Sequence, residues 1–439
     1  PYVKQLTRVL SERLGWNRAR MKLMARLMRA LPMQTTTNLA QLAVVMKPQV
    51  ETDSTYRRLQ RFFAEFAFGY EALGRFLLDL VPTSPPYLAV LDRTEWHFGQ
   101  TPVNVLMIGI AQNGIAFPVA WSVLDHGGGS GADEHTDLLE QFLQIVDPEH
   151  IRALVADREF TGAGFLKGLK KREIPFVIRL RKDRRIGPPS NERSSREWSL
   201  PARMFARTCA PEQAAHLNGL KGLGGAESVD SQVVTKRLED GSFLILAGRQ
   251  VSPDSMMTLY RKRWEIETLF AALKSRGFGL EETHITRPDR IRKLLGMLAL
   301  TYSWTRIIGI DREAREGPPR ECANGYPEKS LFRYGLDRLR ELTANWHRMR
   351  DELHRCIQAL IAPRSFLSCS QGRDTALLPK AVLTSPLPLA FSVTDTFWTS
   401  LTPSPQRTTA LLLPLSRPSS HLTFAEAPST EITASLPSL

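Results

Sequence analysis

The chain has 439 residues and a formal net charge of +13, and 42% of its residues are hydrophobic. This composition can bury the core of one large domain or of two to three smaller ones. The four cysteines form no CxxC pair, which argues against a zinc site or a disulfide framework and favours a reducing cytosol. The longest apolar stretch, residues 294–304, is too short to span a bilayer and predicts a buried helix. The charge favours a polyanionic partner, most commonly nucleic acid, although a basic protein without such a partner is the alternative.

Residues 1–80 are predicted to form a helical DNA-binding region. Basic and apolar side chains interleave over residues 18–29, a pattern typical of an amphipathic helix. A second amphipathic helix is predicted to begin at an N-cap formed by Asp53 or Ser54. Three of its basic side chains are candidates for DNA contact: Arg57, Arg58 and Arg61. Helices with one basic face suit phosphate contact or groove insertion, but an ordinary solvated face explains the same pattern.

Residues 81–182 are predicted to form the first part of a catalytic core, after a proline-rich linker. Asn113-Gly114 between two strand-like runs predicts a hairpin. The predicted elements are strands at 87–91, 103–111 and 115–124, a helix at 134–146, a strand at 151–156, a helix at 161–171 and a strand at 174–180. Three antiparallel strands followed by crossover units predict an α/β fold with a mixed sheet flanked by helices.

Changes in pattern divide the remaining chain into three regions. Residues 183–250 combine a basic loop, a Gly-rich patch and strand-like runs, which predicts an inserted β-rich subdomain. Helices resume in residues 251–364, the second part of the predicted core. Residues 365–439 are rich in Pro, Ser and Thr and lack regular periodicity, so this tail is predicted to be disordered.

Two aspartates each follow a predicted buried strand. Asp92 stands in Leu-Asp-Arg-Thr-Glu-Trp, and Asp157 stands in Ala-Asp-Arg-Glu-Phe. Ligands of open α/β sheets gather at the carboxyl ends of strands, where neighbouring carboxylates can bind hard divalent cations together. An Asp after a strand is also a common turn former or helix cap, so the pair alone leaves both interpretations open.

The segment from Tyr260 to Lys274 is predicted to be one helix with three different faces. At about 100° per residue, four polar side chains fall on one ribbon roughly 60° wide: Tyr260, Arg263, Glu267 and Lys274. An apolar face adjoins this ribbon and would pack on the sheet, whereas Glu265 is predicted to face solvent. Such a ribbon can present a carboxylate to the sheet edge, although an ordinary ion pair between Arg263 and Glu267 explains the same spacing.

The spacing Tyr-x2-Arg-x3-Glu-x6-Lys in this segment resembles the signature of the insertion-sequence-4 family of DDE transposases, at all four positions. The motifs around Asp92 and Asp157 resemble the two aspartate motifs of the same family and occur in the same order. The predicted strand order is similar to the family's ribonuclease-H-like core, which includes a β-rich insertion between the second Asp and the Glu. The resemblance covers roughly residues 80–310 and does not extend to the tail after Ser365.

This resemblance implies a DNA transposase that moves an insertion sequence by cut-and-paste, through end cleavage, a hairpin intermediate and strand transfer. The catalytic residues and metal ligands implied are Asp92, Asp157 and Glu267. They would hold two Mg²⁺ ions, for which Mn²⁺ can substitute, with Asp92 bridging the two. Three further side chains are implied to contact DNA phosphates near the transposon end: Tyr260, Arg263 and Lys274.

The partners implied are double-stranded DNA, both at the transposon's inverted repeats and at the target, and a second copy of the chain when two ends are paired. A bacterial, cytoplasmic and nucleoid-associated protein without membrane contact is expected. Trp96 and Trp264 are candidates for holding an extruded base, but a core position is the favoured prediction for both. Two alternatives stay open: a decayed transposase that only binds specific DNA sequences, and a host nuclease on the same core.

Overall fold

The computed structural model describes residues 2–46, 51–187, 200–207, 214–216, 221–223, 229, 231–323 and 327–371. The helices of the described residues are α1 (Tyr2–Leu14), α2 (Arg18–Gln34), α3 (Leu39–Met46), α4 (Thr52–Glu65), α5 (Tyr70–Asp79), α6 (Ala132–Leu143), α7 (Ala163–Lys171), α8 (Ala202–Ala206), α9 (Pro253–Arg261), α10 (Trp264–Leu273), α11 (Pro288–Glu316), α12 (Leu331–Ala344), α13 (Arg350–Gln358) and α14 (Pro363–Gln371). The strands are β1 (Tyr87–Phe98), β2 (Thr101–Gln112), β3 (Ile115–Leu124), β4 (Ile151–Ala156), β5 (Phe176–Arg179), β6 (Arg185–Gly187), β7 (Leu200–Pro201), β8 (Ala214–His216), β9 (Lys221–Leu223), β10 (Gln232–Arg237) and β11 (Phe243–Arg249).

The central sheet has the strand order β3-β2-β1-β4-β5-β11-β10-β8. β1 pairs antiparallel with β2 and parallel with β4, and β4 pairs parallel with β5. The residues of β4 are almost all buried, because helices cover both faces of a parallel sheet. The first five strands confirm the predicted ribonuclease-H-like mixed sheet flanked by helices.

The β2–β3 hairpin confirms the turn predicted at Asn113-Gly114. Both turn residues have positive φ, 48° and 84°, the conformation that a two-residue type I′ turn requires. β1 is longer than predicted, because it continues past Asp92 to Phe98 and turns at Gly99, where φ is 58°. Its second half is polar and half-buried, so no apolar run marks it in the sequence.

Only part of the predicted β-rich insertion forms a sheet of its own in the described residues. β10 and β11 fall inside the predicted insertion, yet they extend the central sheet, with β11 antiparallel to β5. The described residues of β6, β7 and β9 form a small sheet of their own. The second part of the core therefore begins before residue 251, because the exposed edge of β5 offers backbone groups for further strands to pair with.

The N-terminal helices pack against the helices that follow the sheet. α2 and α4 contact α11, and α5 lies on β3. The N-cap of α4 is Glu51 rather than Asp53 or Ser54, so the helix begins earlier than predicted. α11 is buried over most of its length, as predicted for its apolar stretch, and none of the described helices has the length and apolar composition to cross a membrane.

The predicted tail begins inside a helix. α14 extends from Pro363 to Gln371, so residues 365–371 are helical rather than disordered. The side chain of Arg364 donates to the carbonyl of Thr83 at 3.0 Å, which ties the start of this helix to the segment before β1. The rest of the predicted disordered tail, residues 372–439, lies outside the described residues.

Candidate active site

The sheet register brings the two aspartates together. Leu91 of β1 is paired with Ala156 of β4, so Asp92 and Asp157 occupy the next positions on neighbouring parallel strands. Asp157 follows the end of β4, as predicted. Asp92, in contrast, does not end a strand but lies in the middle of β1, which continues beside β2 alone. Because β4 ends at Ala156, its pairing with β1 stops just before Asp92, on the side where Asp157 lies.

Glu267 reaches the same place from α10. The predicted single helix is in fact two, because the chain makes a tighter turn at Lys262 and Arg263 between α9 and α10. The amide of Arg263 donates to the carbonyl of Tyr260 at 2.9 Å, a contact three residues apart rather than four. The apolar residues of α10 are buried against β1 and β3, as predicted, and this packing fixes the helix on the sheet.

One guanidinium group joins two of the three carboxylates. Arg263 donates from Nη1 to Asp92 Oδ2 at 2.6 Å and from Nη2 to Glu267 Oε1 at 2.5 Å. Its side chain is only 12% exposed. Burial disfavours its charge, but the two carboxylates outweigh burial and raise the pKa of Arg263. The ion pair that the sequence left as an alternative is therefore present, and it extends to Asp92.

The carboxyl group of Asp92 has a perturbed pKa. Burial raises its pKa to about 6, against the lowering effect of Arg263 and of a hydrogen bond from the backbone of Arg93. The charges of Asp157 and Glu267 raise the pKa of Asp92 further, so both carboxylates lie within electrostatic range of Asp92. In the conformation described, however, the described residues include no three acidic, histidine or cysteine side chains arranged closely enough to hold a metal ion.

The remaining two ribbon residues also contact the site. The Tyr260 hydroxyl donates to Asp157 Oδ1 at 3.0 Å, and burial together with the charge of Asp157 raises its pKa to about 12. Lys274 follows the end of α10 and pairs with Glu281 at 2.9 Å. It also donates to Thr94 Oγ1 of β1 at 3.3 Å, two residues along from Asp92. Tyr260, Arg263 and Lys274 thus contact Asp157, Asp92 and Thr94, and Glu267 joins them through Arg263.

A second ion pair, which the sequence interpretation missed, connects the two aspartate motifs. Arg93 Nε donates to Glu159 Oε1 at 2.8 Å, and both side chains are partly buried. The same carboxylate oxygen accepts from the amide of Ser130 at 2.9 Å and from its hydroxyl at 2.5 Å. Arg93 also donates to Asn104 Oδ1 on β2 at 3.2 Å. The only sequence signal for this network is the Asp-Arg dipeptide and the Asp-x-Glu spacing, which place each partner beside an aspartate.

The burial of three side chains near the site can be compared with the sequence predictions, which are right for one of them and wrong for two. Trp96 is 7% exposed, which confirms its core position, and its ring lies under the Lys274 ammonium. Trp264 is 64% exposed, so the core prediction for it is wrong. Glu265, predicted to face solvent, is 5% exposed and pairs with Lys262 at 3.0 Å. The turn between α9 and α10 explains both differences, because it breaks the single helical register on which the predictions depended.

The three arginines predicted to contact DNA lie elsewhere, on α4. Arg57, Arg58 and Arg61 are all exposed. No hydrogen bond or ion pair connects them to the three carboxylates among the described residues. The structure thus separates the candidate residues into a carboxylate cluster on the sheet and a basic surface on the N-terminal helices.

Comparison with known proteins gives a family for the central part of the chain. Residues 106–304 match the family model described as the transposase DDE domain. No curated protein matches significantly. Among solved structures, the chain is similar to the piggyBac transposase synaptic complex with hairpin DNA, at 12% identity over 88% of this chain and 84% of that chain, with a TM-score of 0.42. It is also similar to endonuclease V from Bacillus subtilis (11% identity, 58% of this chain, 95% of that chain, TM-score 0.22) and to the C-terminal lobe of a budding yeast Argonaute (8%, 53%, 49%, TM-score 0.20).

The matched span contains Asp157, Glu267 and the strands and helices that place them, and it begins after Asp92. It therefore includes both the parallel strand β4 and the helix α10 that meet at the carboxylate cluster. Together with the ribonuclease-H-like order of the sheet, this match shows that the chain carries a transposase DDE domain.

Proposed function

We propose that this transposase excises and inserts a DNA element of the insertion-sequence-4 type by cut-and-paste, with Asp92, Asp157 and Glu267 as its catalytic carboxylates. The observation that carries the proposal is the convergence of these three side chains, from β1, β4 and α10, around the single side chain of Arg263 and the hydroxyl of Tyr260. Asp157 also pairs with Arg179 at 3.9 Å, so the cluster brings three carboxylates together with two arginines.

The donor chemistry of these residues fits the divalent cation on which the DDE transposase family depends. Their donors are carboxylate oxygens, the ligands that hard cations such as Mg²⁺ or Mn²⁺ prefer. Burial of Asp92 beside two further carboxylates concentrates negative charge, which Arg263 only partly balances. Asp92, Asp157 and Glu267 would together hold two Mg²⁺ ions at this site. When bound, two such ions activate the attacking water or 3′-hydroxyl and stabilise the leaving oxygen.

The chain's own basic groups would then position the DNA. Arg263 can donate two parallel hydrogen bonds to a phosphate, a geometry that suits its planar guanidinium. To contact phosphate, Arg263 must release Asp92 and Glu267. Because this release frees both carboxylates for the metal ions, DNA contact by Arg263 and metal binding by the carboxylates favour each other. Tyr260 can donate a hydrogen bond to phosphate in the same way after leaving Asp157, and Lys274 supplies a point charge beside β1.

The partners proposed are double-stranded DNA, at the inverted repeats and at the target, and a second copy of the chain that holds the other end. The net charge of +13 favours association with such a polyanion. We propose a bacterial cytoplasmic location at the nucleoid, where this substrate would be found. The hairpin intermediate is proposed because the sequence motifs resemble those of the insertion-sequence-4 family.

An excision assay tests the proposal. Linear DNA that carries the two inverted repeats flanking the coding sequence is incubated with the full chain and Mg²⁺, and the products are separated on denaturing and native gels. Cleavage at the element's ends, with a hairpin product, is expected. Cleavage of DNA that lacks these repeats at the same rate would indicate a host nuclease instead, and binding of the repeats without cleavage would indicate a protein that has lost catalysis.

A further inference from the structure

The helix α4 forms a ridge between two grooves on the N-terminal surface. One groove, of about 410 Å³, lies between α4 and α2, and the other, of about 290 Å³, lies between α4, the start of α3 and residues 284–290. The buried side of α4, which includes Leu59 and Phe62, packs against the protein. At about 100° per residue, Arg57 falls on the opposite side, at the crest between the two grooves.

Both grooves are lined by cations. Along the first groove these are Arg20, Lys22, Arg26, Arg58 and Arg61, with Glu65 as its acidic lining residue. Along the second they are Arg287 and Arg290. Among the described residues, none of the five cations of the first groove forms an ion pair. Clustering unpaired cations destabilises a folded chain unless a polyanion occupies the surface.

The packing of these cations adds to the destabilisation of the folded chain. Burial and the nearby charge of Arg58 lower the pKa of Arg26, so the two guanidinium groups repel each other across the groove. On the other side, Arg290 Nε is buried without a hydrogen-bond partner in the described part of the chain. Phosphate oxygens placed along each groove would neutralise the charge of the guanidinium groups that line it.

Two exposed side chains of α4 are of types that can read DNA bases: Arg57 at the crest, and Gln60 beside it, where it also lines the second groove. Arginine donates two hydrogen bonds to guanine in the major groove, and glutamine pairs with adenine in the same way. The B-DNA major groove is about 12 Å wide and admits one α-helix, with a phosphate backbone on either side of it. The deep, narrow major groove of A-form RNA does not admit a helix, so the ridge favours DNA.

From this arrangement we infer that α4 is the recognition helix for double-stranded DNA, with Arg57 and Gln60 contacting bases and the two cationic grooves contacting the flanking phosphate backbones. The inference rests on the proposed function only for its partner, DNA. It assigns the three arginines of α4 different tasks: Arg57 reads sequence, whereas Arg58 and Arg61 bind phosphate together with α2.

A fixed connection joins this helix to the catalytic part of the protein. Lys293 of α11 donates to the carbonyls of Phe63 and Ala64 at 3.0 and 3.2 Å, at the C-terminal end of α4 where carbonyls lack helical partners. α11 in turn packs on β3 of the catalytic sheet. The recognised sequence should therefore lie at a constant distance from the position of cleavage.

The test is a binding selection that requires no cleavage and no known transposon end. The full chain, without metal, selects from double-stranded oligonucleotides that are randomised in their central positions, and the enriched sequences are read. Arg57→Ala and Gln60→Ala are each expected to lose preference at one or two base positions of the selected motif and to weaken binding to that motif about tenfold. Arg26→Ala and Arg290→Ala are expected to keep the motif, weaken all duplexes alike and reduce the salt dependence by about one counterion each.

The matched control is the double variant Lys170→Ala/Lys171→Ala on α7, which removes two exposed positive charges far from α4 in the chain. It should leave the motif unchanged, and equal melting temperatures of all variants exclude unfolding as the cause. An unchanged motif in both Arg57→Ala and Gln60→Ala, or a stronger preference for RNA duplexes, would overturn the inference. If the α4 variants alter the motif but the wild-type chain cleaves no DNA, the recognition helix is supported and the cut-and-paste function is not. Failure of the inference and failure of the proposed function can therefore be told apart.

Discussion

The ion pair between Arg93 and Glu159 is predicted to hold the two aspartate motifs in their relative positions. Arg93 follows Asp92 on β1, and Glu159 comes two residues after Asp157. The side chains are 19% and 25% exposed, and Glu159 Oε1 accepts two further hydrogen bonds, both from Ser130. These contacts outweigh the effect of burial and lower the pKa of Glu159. A partly buried, multiply hydrogen-bonded pair of this kind should stabilise the fold more than a surface pair does.

We expect a coupling free energy of about 2 kcal/mol between the two side chains, since charged hydrogen bonds contribute about 1.5–3 kcal/mol each and partial desolvation offsets part of this. The measurement is a double-mutant cycle with Arg93→Met and Glu159→Gln, with urea unfolding followed by tryptophan fluorescence. The control cycle uses Arg75 and Glu71, a pair on α5 at 3.0 Å whose side chains are 58% and 55% exposed. Its coupling should stay below about 0.5 kcal/mol.

The prediction also concerns function. Glu159→Gln should slow DNA cleavage and weaken Mn²⁺ binding measured by calorimetry, while DNA binding remains at the wild-type level, because Glu159 touches neither DNA-binding surface proposed above. A coupling no larger than that of Arg75 and Glu71, together with unchanged Mn²⁺ affinity, would refute the idea that this pair positions the two aspartates.

Three further predictions concern the charge and packing of the fold. Arg263→Gln should bind Mn²⁺ more tightly than the wild type in the absence of DNA, by about tenfold in calorimetry, because it removes the cation that competes for the carboxylates; equal or weaker binding would argue against that competition. Gly335→Ala should lower the melting temperature by several degrees, since an added Cβ would collide with the carbonyl of Thr305 where α12 crosses α11, and an unchanged melting temperature would contradict this close approach. Partial burial disfavours the charge of Glu352, but Arg355 and Arg315 outweigh this effect and lower its pKa to about 2. The ionised carboxylate should therefore stabilise the fold fully above about pH 4.5, and this stabilisation should be lost as the pH falls toward 2. In urea unfolding at several pH values, Glu352→Gln should lose less stability in acid than the wild type does, and equal losses would contradict this role of Glu352.

Three strands of the sheet and one hairpin follow from local sequence patterns. Apolar runs predict β2, β3 and β4, and Asn113-Gly114 predicts the hairpin, because their conformations depend mainly on neighbouring residues. The second half of β1 carries polar side chains that pair with β2 and contact the site. Its strand conformation depends on this pairing with a distant segment, so the local pattern does not reveal it.

The candidate site shows the same division between local and distant causes. The spacing of Tyr260, Arg263 and Glu267 brings them to the carboxylate cluster even though the helix is interrupted. Neither Lys262 nor Arg263 is a residue type that breaks helices, so the turn between α9 and α10 has no local signal. The same turn buries Glu265 and exposes Trp264, which a regular helical wheel predicts wrongly. Pairings across the sheet, such as that of β11 with β5, likewise depend on contacts between distant segments.

The most direct test of the catalytic assignment is cleavage of DNA carrying the element's end by Asp157→Ala in the presence of Mg²⁺. Asp254→Asn, an exposed carboxylate change at the start of α9, serves as the control. The assignment predicts that Asp157→Ala binds the end with wild-type affinity but produces no cleavage, while Asp254→Asn cleaves normally. Cleavage by Asp157→Ala at the wild-type rate would contradict the role of this carboxylate cluster.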